Sequence, residues 1–185
     1  MPDDTALVIE TATDPALAPV VAEVAAVTFP LACPPHSSPD DIAAHIATAL
    51  SPQRFAEWIG DDVHEVIVAR LGGRVIGYAL LVHAPPTDDD VAAVVPGRTV
   101  TEISKMYVLP DHHGAVHDER PAHLLMAEAL AAAHDRGSQT VWLGVNQLNE
   151  RAQKYYRKMG FRRVGTRTFT MNGAVEHDYV MAQDL

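Results

Sequence analysis

The chain has 185 residues, with 14 Lys and Arg against 24 Asp and Glu, a formal net charge of −10 and 48% hydrophobic residues. That length predicts one domain over residues 1–185, able to bury about 70% of its unfolded surface without disulfides or metals. The acidic balance weighs against nucleic acid and anionic membranes as partners and favours cations. Cys33 is the one cysteine, so an intramolecular disulfide is excluded and a reducing cytoplasm is the expected compartment. No apolar run approaches the ~20 residues expected of a membrane span. The opening MPDDTALVIE is acidic where a signal peptide is basic.

Ala6 to Thr11 reads as a first strand. Asp14-Pro15 supplies an N-cap and a first-turn proline, opening a helix that runs to about Thr28. Phe29 to Ser38 reads as loop from its prolines. Ser38-Pro39 and Ser51-Pro52 repeat the cap-plus-proline signal, so the opening is helical and broken twice. From His64 the period becomes that of strands: VHEVIVAR and RVIGYALLVHA flank a Gly72-Gly73 turn as a hairpin.

Ala84 to Arg98 reads as a loop rich in Pro and Asp, and Thr99 to Leu109 as the next strand. Arg120 to Arg136 carries Leu124, Leu125, Ala127, Leu130 and Ala131 at helical spacing, closed by Gly137. Thr140 to Val145 reads as a buried strand, and Asn149 to Met159 as a helix stopped by Gly160. Phe161 to Met171 and Val175 to Met181 close the chain as a hairpin about Asn172-Gly173. The resulting order, β-α-α-β-β-β-α-β-α-β-β, implies an α/β fold with a mixed sheet.

Two stretches carry chemistry. In the first, the strand Glu102-Ile103-Ser104-Lys105-Met106-Tyr107-Val108-Leu109-Pro110 runs into His113-Gly114-Ala115 and then the helix near Arg120. A glycine-bearing loop opening a helix offers backbone N–H groups at the positive end of the helix dipole, a cradle for a pyrophosphate. In the second, Asn149, Ala152, Gln153 and Tyr156 share one helix face, being at i, i+3, i+4 and i+7. A small residue between an amide and a phenol lets a ligand pass close to the backbone.

The second stretch fits N-x-x-A-x-x-[FY]-Y-x-x-x-G-F from Asn149 to Phe161. It closely resembles the late motif of the GNAT superfamily of N-acetyltransferases, and EISKMYVLP resembles that superfamily's central strand. The resemblance covers roughly Val66 to Met181. It implies a GNAT-like acyltransferase fold, acetyl-CoA as acyl donor, and direct transfer to a primary amine of a small molecule or protein. It also implies that the backbone of Met106, Tyr107 and Val108 meets the pantetheine arm. His113, Gly114, Ala115, Arg120 and Ala122 would lie at the pyrophosphate, and Asn149, Ala152 and Tyr155 against the cofactor. Tyr156 would protonate the leaving thiolate and Glu102 would take the ammonium proton. A phenol with an ordinary pKa of ~10 can donate that proton at neutral pH.

The segment Gly165-Thr166-Arg167-Thr168-Phe169, with Asp178-Tyr179-Val180-Met181, is similar to PaiA-type polyamine acetyltransferases, which suggests a polyamine-like acceptor. GNAT proteins usually carry [RQ]-x-x-G-x-[GA] at the pyrophosphate. Here an apparent insertion brings Asp118 and Glu119 close to it, and Pro121 removes one donor. An alternative expectation is therefore a GNAT-shaped binding or regulatory module with little catalysis.

His112, His113 and His117 lack a further ligand at tight spacing, so no metal is expected. Cys33 lies in a loop between prolines, without a histidine partner placed by motif, and is assigned no chemistry. Asp88-Asp89-Asp90 reads as a solvated run able to attract a cation. Edge strands of such sheets often pair between copies, which makes a homodimer a candidate assembly, though the sequence does not fix the oligomeric state.

Overall fold

A computed structural model of the chain describes residues 6–116, 118–171 and 173–185. His117 and Asn172 lie outside the described residues, as do the first five, so the readings placed on them end with the sequence. Thirteen elements follow one another: β1 (Leu7–Thr11), α1 (Ala18–Ala32), α2 (Pro39–Ala49), α3 (Pro52–Ile59), β2 (His64–Leu71), β3 (Arg74–Val82), α4 (Asp89–Ala92), β4 (Val100–Val108), α5 (Pro121–Asp135), β5 (Thr140–Asn146), α6 (Glu150–Lys158), β6 (Arg162–Met171) and β7 (Ala174–Asp184). The seven strands have the order β1-β2-β3-β4-β5-β7-β6. The α/β mixed-sheet expectation holds: β4 and β5 are parallel, while β5–β7 and β6–β7 are antiparallel.

The chain divides into two compact units. The first comprises residues up to Leu81 with Lys105–Ala129, and the second Val82–Ser104 with Leu130–Leu185.

In the first unit, each serine-proline pair starts its own helix. The Ser38 hydroxyl accepts from Asp41 N at 3.0 Å and the Ser51 hydroxyl from Arg54 N at 3.2 Å, with proline in the first turn of each helix. Three helices therefore precede the second strand, where the condensed element order had two. Helix α1 also runs four residues past Thr28 to Ala32, through Pro30. Pro30 has no N–H to donate to Ala26 O, so the helix gives up one ladder bond there, and the Thr28 hydroxyl donates back to Val24 O at 2.8 Å.

Against the expectation that no apolar run approaches the length of a membrane span, the stretch Pro15–Ala32 is long and apolar enough to cross one by length and composition. Val21, Ala22, Val24 and Ala25 are buried in the fold, α1 packs on α3, and Val20, Val27 and Leu31 on its other face are exposed. The core of this unit also holds Phe55, Ile67, Tyr78 and Leu80, none more than 1% exposed.

Ser51→Ala should cost about 1 kcal/mol by removing the α3 cap. Urea unfolding would show the midpoint falling at constant slope; an unmoved midpoint would mean water replaces the cap.

In the second unit, the stretch read as a Pro/Asp loop contains the short helix α4. Asp88 caps it, accepting from Asp90 N at 2.9 Å and Val91 N at 3.3 Å. Val91 then drops into a cluster with Val95, Val100, Trp142, Val180 and Ala182. One buried valine and a cap convert part of an acidic run into a helix, which composition alone does not reveal. Gly137 and Gly160 close α5 and α6 at φ 74 and 99, as expected of glycine after a helix. In the closing hairpin, Met171 pairs with Ala174 and Arg167 with Asp178, and the register shifts between Arg163 and Gly165.

Candidate active site

The first unit contains the strand–loop–helix segment. Strand β4 ends at Val108, and a 3-10 turn over Pro110–His112 follows. The His113 ring pairs with Val108 O at 2.8 Å through Nε2, which folds the loop back on the strand that precedes it. Gly114 has open space where a Cβ would stand. The insertion forms its own turn: Val116 N donates to Glu119 O at 2.6 Å and Glu119 N to Val116 O at 2.9 Å. Asp118 occupies the left-handed region at φ 68, uncommon for a residue with a side chain and tolerated best by Asn and Asp. Val116 and Glu119 are thus paired with each other, and the chain reaches α5 with Pro121 as its first helical residue, where a missing N–H costs little. The open glycine, exposed Arg120 and the start of a fifteen-residue helix suit a diphosphate. Ala115 is exposed and Ala122 half-buried.

On β4, Met106 and Tyr107 are half-buried and Val108 is buried. On the neighbouring strand, a Cβ at Gly77 would stand 2.8 Å from Tyr107 O and 3.0 Å from Val108 Cγ2. The ring of Tyr107 lies 6.0 Å from that of buried Tyr78.

The second unit contains α6 and the first half of β4. Asn149 is the N-cap of α6, its Oδ1 accepting from Ala152 N at 3.1 Å. Its side-chain oxygen is therefore committed to the helix. Gln153 is buried and its amide donates to Asn146 O and Gln147 O at 3.1 and 3.0 Å, tying α6 to the end of β5. Tyr155 and Tyr156 are both half-buried. Their rings stand edge to face with centroids 5.4 Å apart, and Tyr156 leans on Phe161 at 6.0 Å.

Burial pushes the Tyr155 phenol up to about 12, above the ordinary ~10. The folded state therefore holds that proton more tightly than the unfolded chain does. The associated stability is complete below pH ~10 and is lost as pH rises toward 12. Tyr155→Phe should flatten alkaline unfolding across that window, followed by circular dichroism; unchanged slopes would contradict a buried phenol.

Glu102 lies on β4, in register with Trp142 of β5, and Trp142 in turn with Ala182 of β7. Two and four residues further along β5, Gly144 pairs with Val180 and Asn146 with Asp178. Side chains at alternate positions share a face, so Glu102, Trp142, Gly144, Asn146, Asp178 and Arg167 stand together. Arg167 donates through Nε and Nη2 to Asp178 Oδ2 at 3.3 and 3.1 Å, and its Nη1 is 4.0 Å from Glu102 Oε1. The guanidinium lies over the rings of Trp142 and Phe169, 5.6 and 5.5 Å from their centroids, within cation–π range.

Gly144 makes the berth: a Cβ there would stand 2.7 Å from Arg167 Cζ and 2.8 Å from Asp178 Oδ2. Glu176 is buried beside them and accepts from Asn146 Nδ2 at 3.2 Å. Burial pushes the Asp178 carboxyl above the usual carboxylate range; Arg167 pulls it back, and Glu176 pushes it up again.

Sequence reasoning assigned Arg167, Asp178, Glu176 and Gly144 no role. A signal was present for two of them. A hairpin turning at 172–173 pairs residues equidistant from the turn, and Arg167 and Asp178 are so placed. Among the described residues no group of three or more His, Cys, Asp or Glu side chains is arranged to hold a metal ion. His112 ends the 3-10 turn and His113 is engaged with Val108 O.

The sequence and the fold both have relatives. A family model described as acetyltransferase (GNAT) family matches residues 30–161. An uncharacterized N-acetyltransferase of Mycobacterium tuberculosis (strain H37Rv) is 44% identical over 165 residues, covering 89% of this chain and 96% of the relative. An uncharacterized N-acetyltransferase of Archaeoglobus fulgidus is 27% identical over 112 residues, covering 60% and 69%. Among solved structures, the PaiA N-acetyltransferase of Thermoplasma acidophilum, in complex with coenzyme A, matches with TM-score 0.75 and 17% identity over 97% of this chain and 99% of that one. A GCN5-related N-acetyltransferase structure from Rhodopseudomonas palustris matches with TM-score 0.68 and 19% identity over 98% and 96%. At such identities the likeness is one of fold.

Proposed function

Because the chain belongs to the acetyltransferase (GNAT) family, we propose that it transfers an acetyl group from acetyl-CoA to a primary amine of a small cationic molecule, of polyamine type. The observation that carries the acceptor class is the set of three carboxylates, Glu102, Asp178 and Glu176, gathered about Arg167 on one sheet face. An excess of negative charge in a partly buried place raises the local concentration of a cationic amine.

Bound acetyl-CoA supplies the acyl carbon as a thioester. The diphosphate is assigned to Gly114, His113, Ala115, Arg120 and Ala122, and the pantetheine arm to the backbone of Met106, Tyr107 and Val108. On α6, Ala152 presents little bulk, Asn149 holds the helix start, and Tyr155 gives Tyr156 a packed neighbour. Glu102 takes the proton that the ammonium must lose before its nitrogen can attack, and Tyr156 Oη donates a proton to the leaving sulfur. Transfer is direct, with no acyl-enzyme. Cys33 is compatible with this: its Sγ donates to Phe29 O at 3.3 Å. The lone cysteine also suits a reducing cytoplasm.

The test is acetyl-CoA with spermidine, an aminoglycoside and a lysine peptide as acceptors, read by mass spectrometry and thiol release. N-acetylated spermidine is the expected product. Acetylation of the peptide alone would overturn the acceptor class, and calorimetry showing no acetyl-CoA binding would overturn the donor.

A further inference from the structure

Resting on the reading of Glu102 as the base, we infer that Arg167 is a positioning residue for it: anchored on Asp178, the guanidinium stands beside Glu102 and holds it as a carboxylate, ready for the ammonium proton. One guanidinium serves two carboxylates unequally. Nε and Nη2 both go to Asp178 Oδ2, and only Nη1 is left for Glu102, at 4.0 Å. The anchoring carboxylate is the buried one, its side chain 8% exposed, while that of Glu102 is 22% exposed. The buried acid fixes the cation, and the more open acid stays accessible to a proton.

The cation cannot easily drift. The rings of Trp142 and Phe169 flank it, and Gly144 leaves the space it fills. An arginine stays charged throughout the working pH range, so its influence on Glu102 is constant.

The other ionisable groups on elements next to Glu102 are few. Strand β7 brings Asp178, Glu176 and Asp184, and β6 brings Arg167 and Arg162, the last paired with Asp184 at 3.3 Å. Strand β5 presents Thr140, Trp142, Gly144 and Asn146 on this face, none of them ionisable. The acidic start of α4 carries Asp88, Asp89 and Asp90. His83, following β3, pairs through Nδ1 with Thr101 Oγ1 at 2.8 Å, one residue before Glu102. Arg167 lies in direct range, so its removal and the removal of its anchor should move Glu102 in opposite directions.

The experiment follows the side-chain carboxyl carbon of Glu102 by NMR in glutamate-labelled protein, its signal assigned by its absence in Glu102→Gln. In Arg167→Met the titration midpoint should rise by about one unit or more, as an opposite charge within ~4–6 Å holds a carboxyl down by about 1–3. In Asp178→Asn, which keeps an acceptor for the fork but gives up its charge, the midpoint should fall. The acid limb of kcat/KM for spermidine acetylation should move with it. Should Arg167→Met not fold, Arg167→Gln takes its place, and its midpoint should rise likewise. A midpoint unmoved in either folded variant, or moved the same way in both, overturns the positioning role while leaving Glu102 as base. Full kcat/KM in Glu102→Gln removes the base itself, and the positioning role with it.

Discussion

Replacing Tyr156 with phenylalanine should lower kcat for amine acetylation by roughly 10²–10⁴-fold, the range lost when a positioned general acid is removed. Acetyl-CoA affinity should stay within about twofold of the wild type, because a hydroxyl used only as sulfur departs adds little to ground-state binding. The ring itself remains, edge-on to Tyr155 at 5.4 Å and against Phe161 at 6.0 Å, so the thermal midpoint should hardly move. Tyr155→Phe is the control: its phenol is held protonated by burial, and its loss should spare turnover. Steady-state rates with both variants, beside calorimetric affinities, decide the matter. Full kcat in Tyr156→Phe would strip it of the acid role, and equal losses in both would indicate damage to α6.

Gly77→Ala should be the most damaging small substitution in the first unit. The new methyl would stand 2.8 Å from Tyr107 O and 3.3 Å from Val108 Cα. These are backbone atoms of a strand, and they cannot swing aside as a side-chain tip does. Overpacking of this kind costs about 1–3 kcal/mol, and the displaced segment is the one assigned to the pantetheine arm. Two readouts should therefore fall together: the urea midpoint, and acetyl-CoA affinity by at least tenfold. Loss of stability with unchanged affinity would detach Tyr107 and Val108 from the cofactor. Unchanged stability would mean that β3 and β4 tolerate separation at this point.

Much of the fold was legible because local chemistry and tertiary structure agree. Serine-proline pairs start helices where Ser38 and Ser51 cap them, and Gly137 and Gly160 stop helices where a positive φ is required. Helix α4 was hidden because its cause is not local. Three aspartates read as solvated until Val91 finds the pocket formed with Trp142 and Val180, residues far along the chain.

The candidate site divides in the same way. Tyr156 and Asn149 lie inside a continuous motif, and spacing alone places them on one helix. Arg167, Asp178 and Gly144 come from three strands, and their meeting depends on sheet register, which a motif does not encode. The bulge near Val164 adds a phase change that no alternation pattern predicts. The loop from Val116 to Glu119 was read as negative charge near a phosphate, whereas its backbone closes on itself. Its charge and its geometry are separate matters, and only the first is written in composition.

The symmetric pairing of the last hairpin also bears on how such a site can change over generations. Arg167 and Asp178 are partners because each lies the same number of steps from the turn. Residues gained or lost at the tip leave that count equal on both arms, so the tip is free to drift in length and composition. A single residue gained within one arm breaks the match and sends the guanidinium through to the opposite side of the sheet. Natural variation should thus be lavish beyond Phe169 and Glu176, and scarce between those positions and the base of the hairpin.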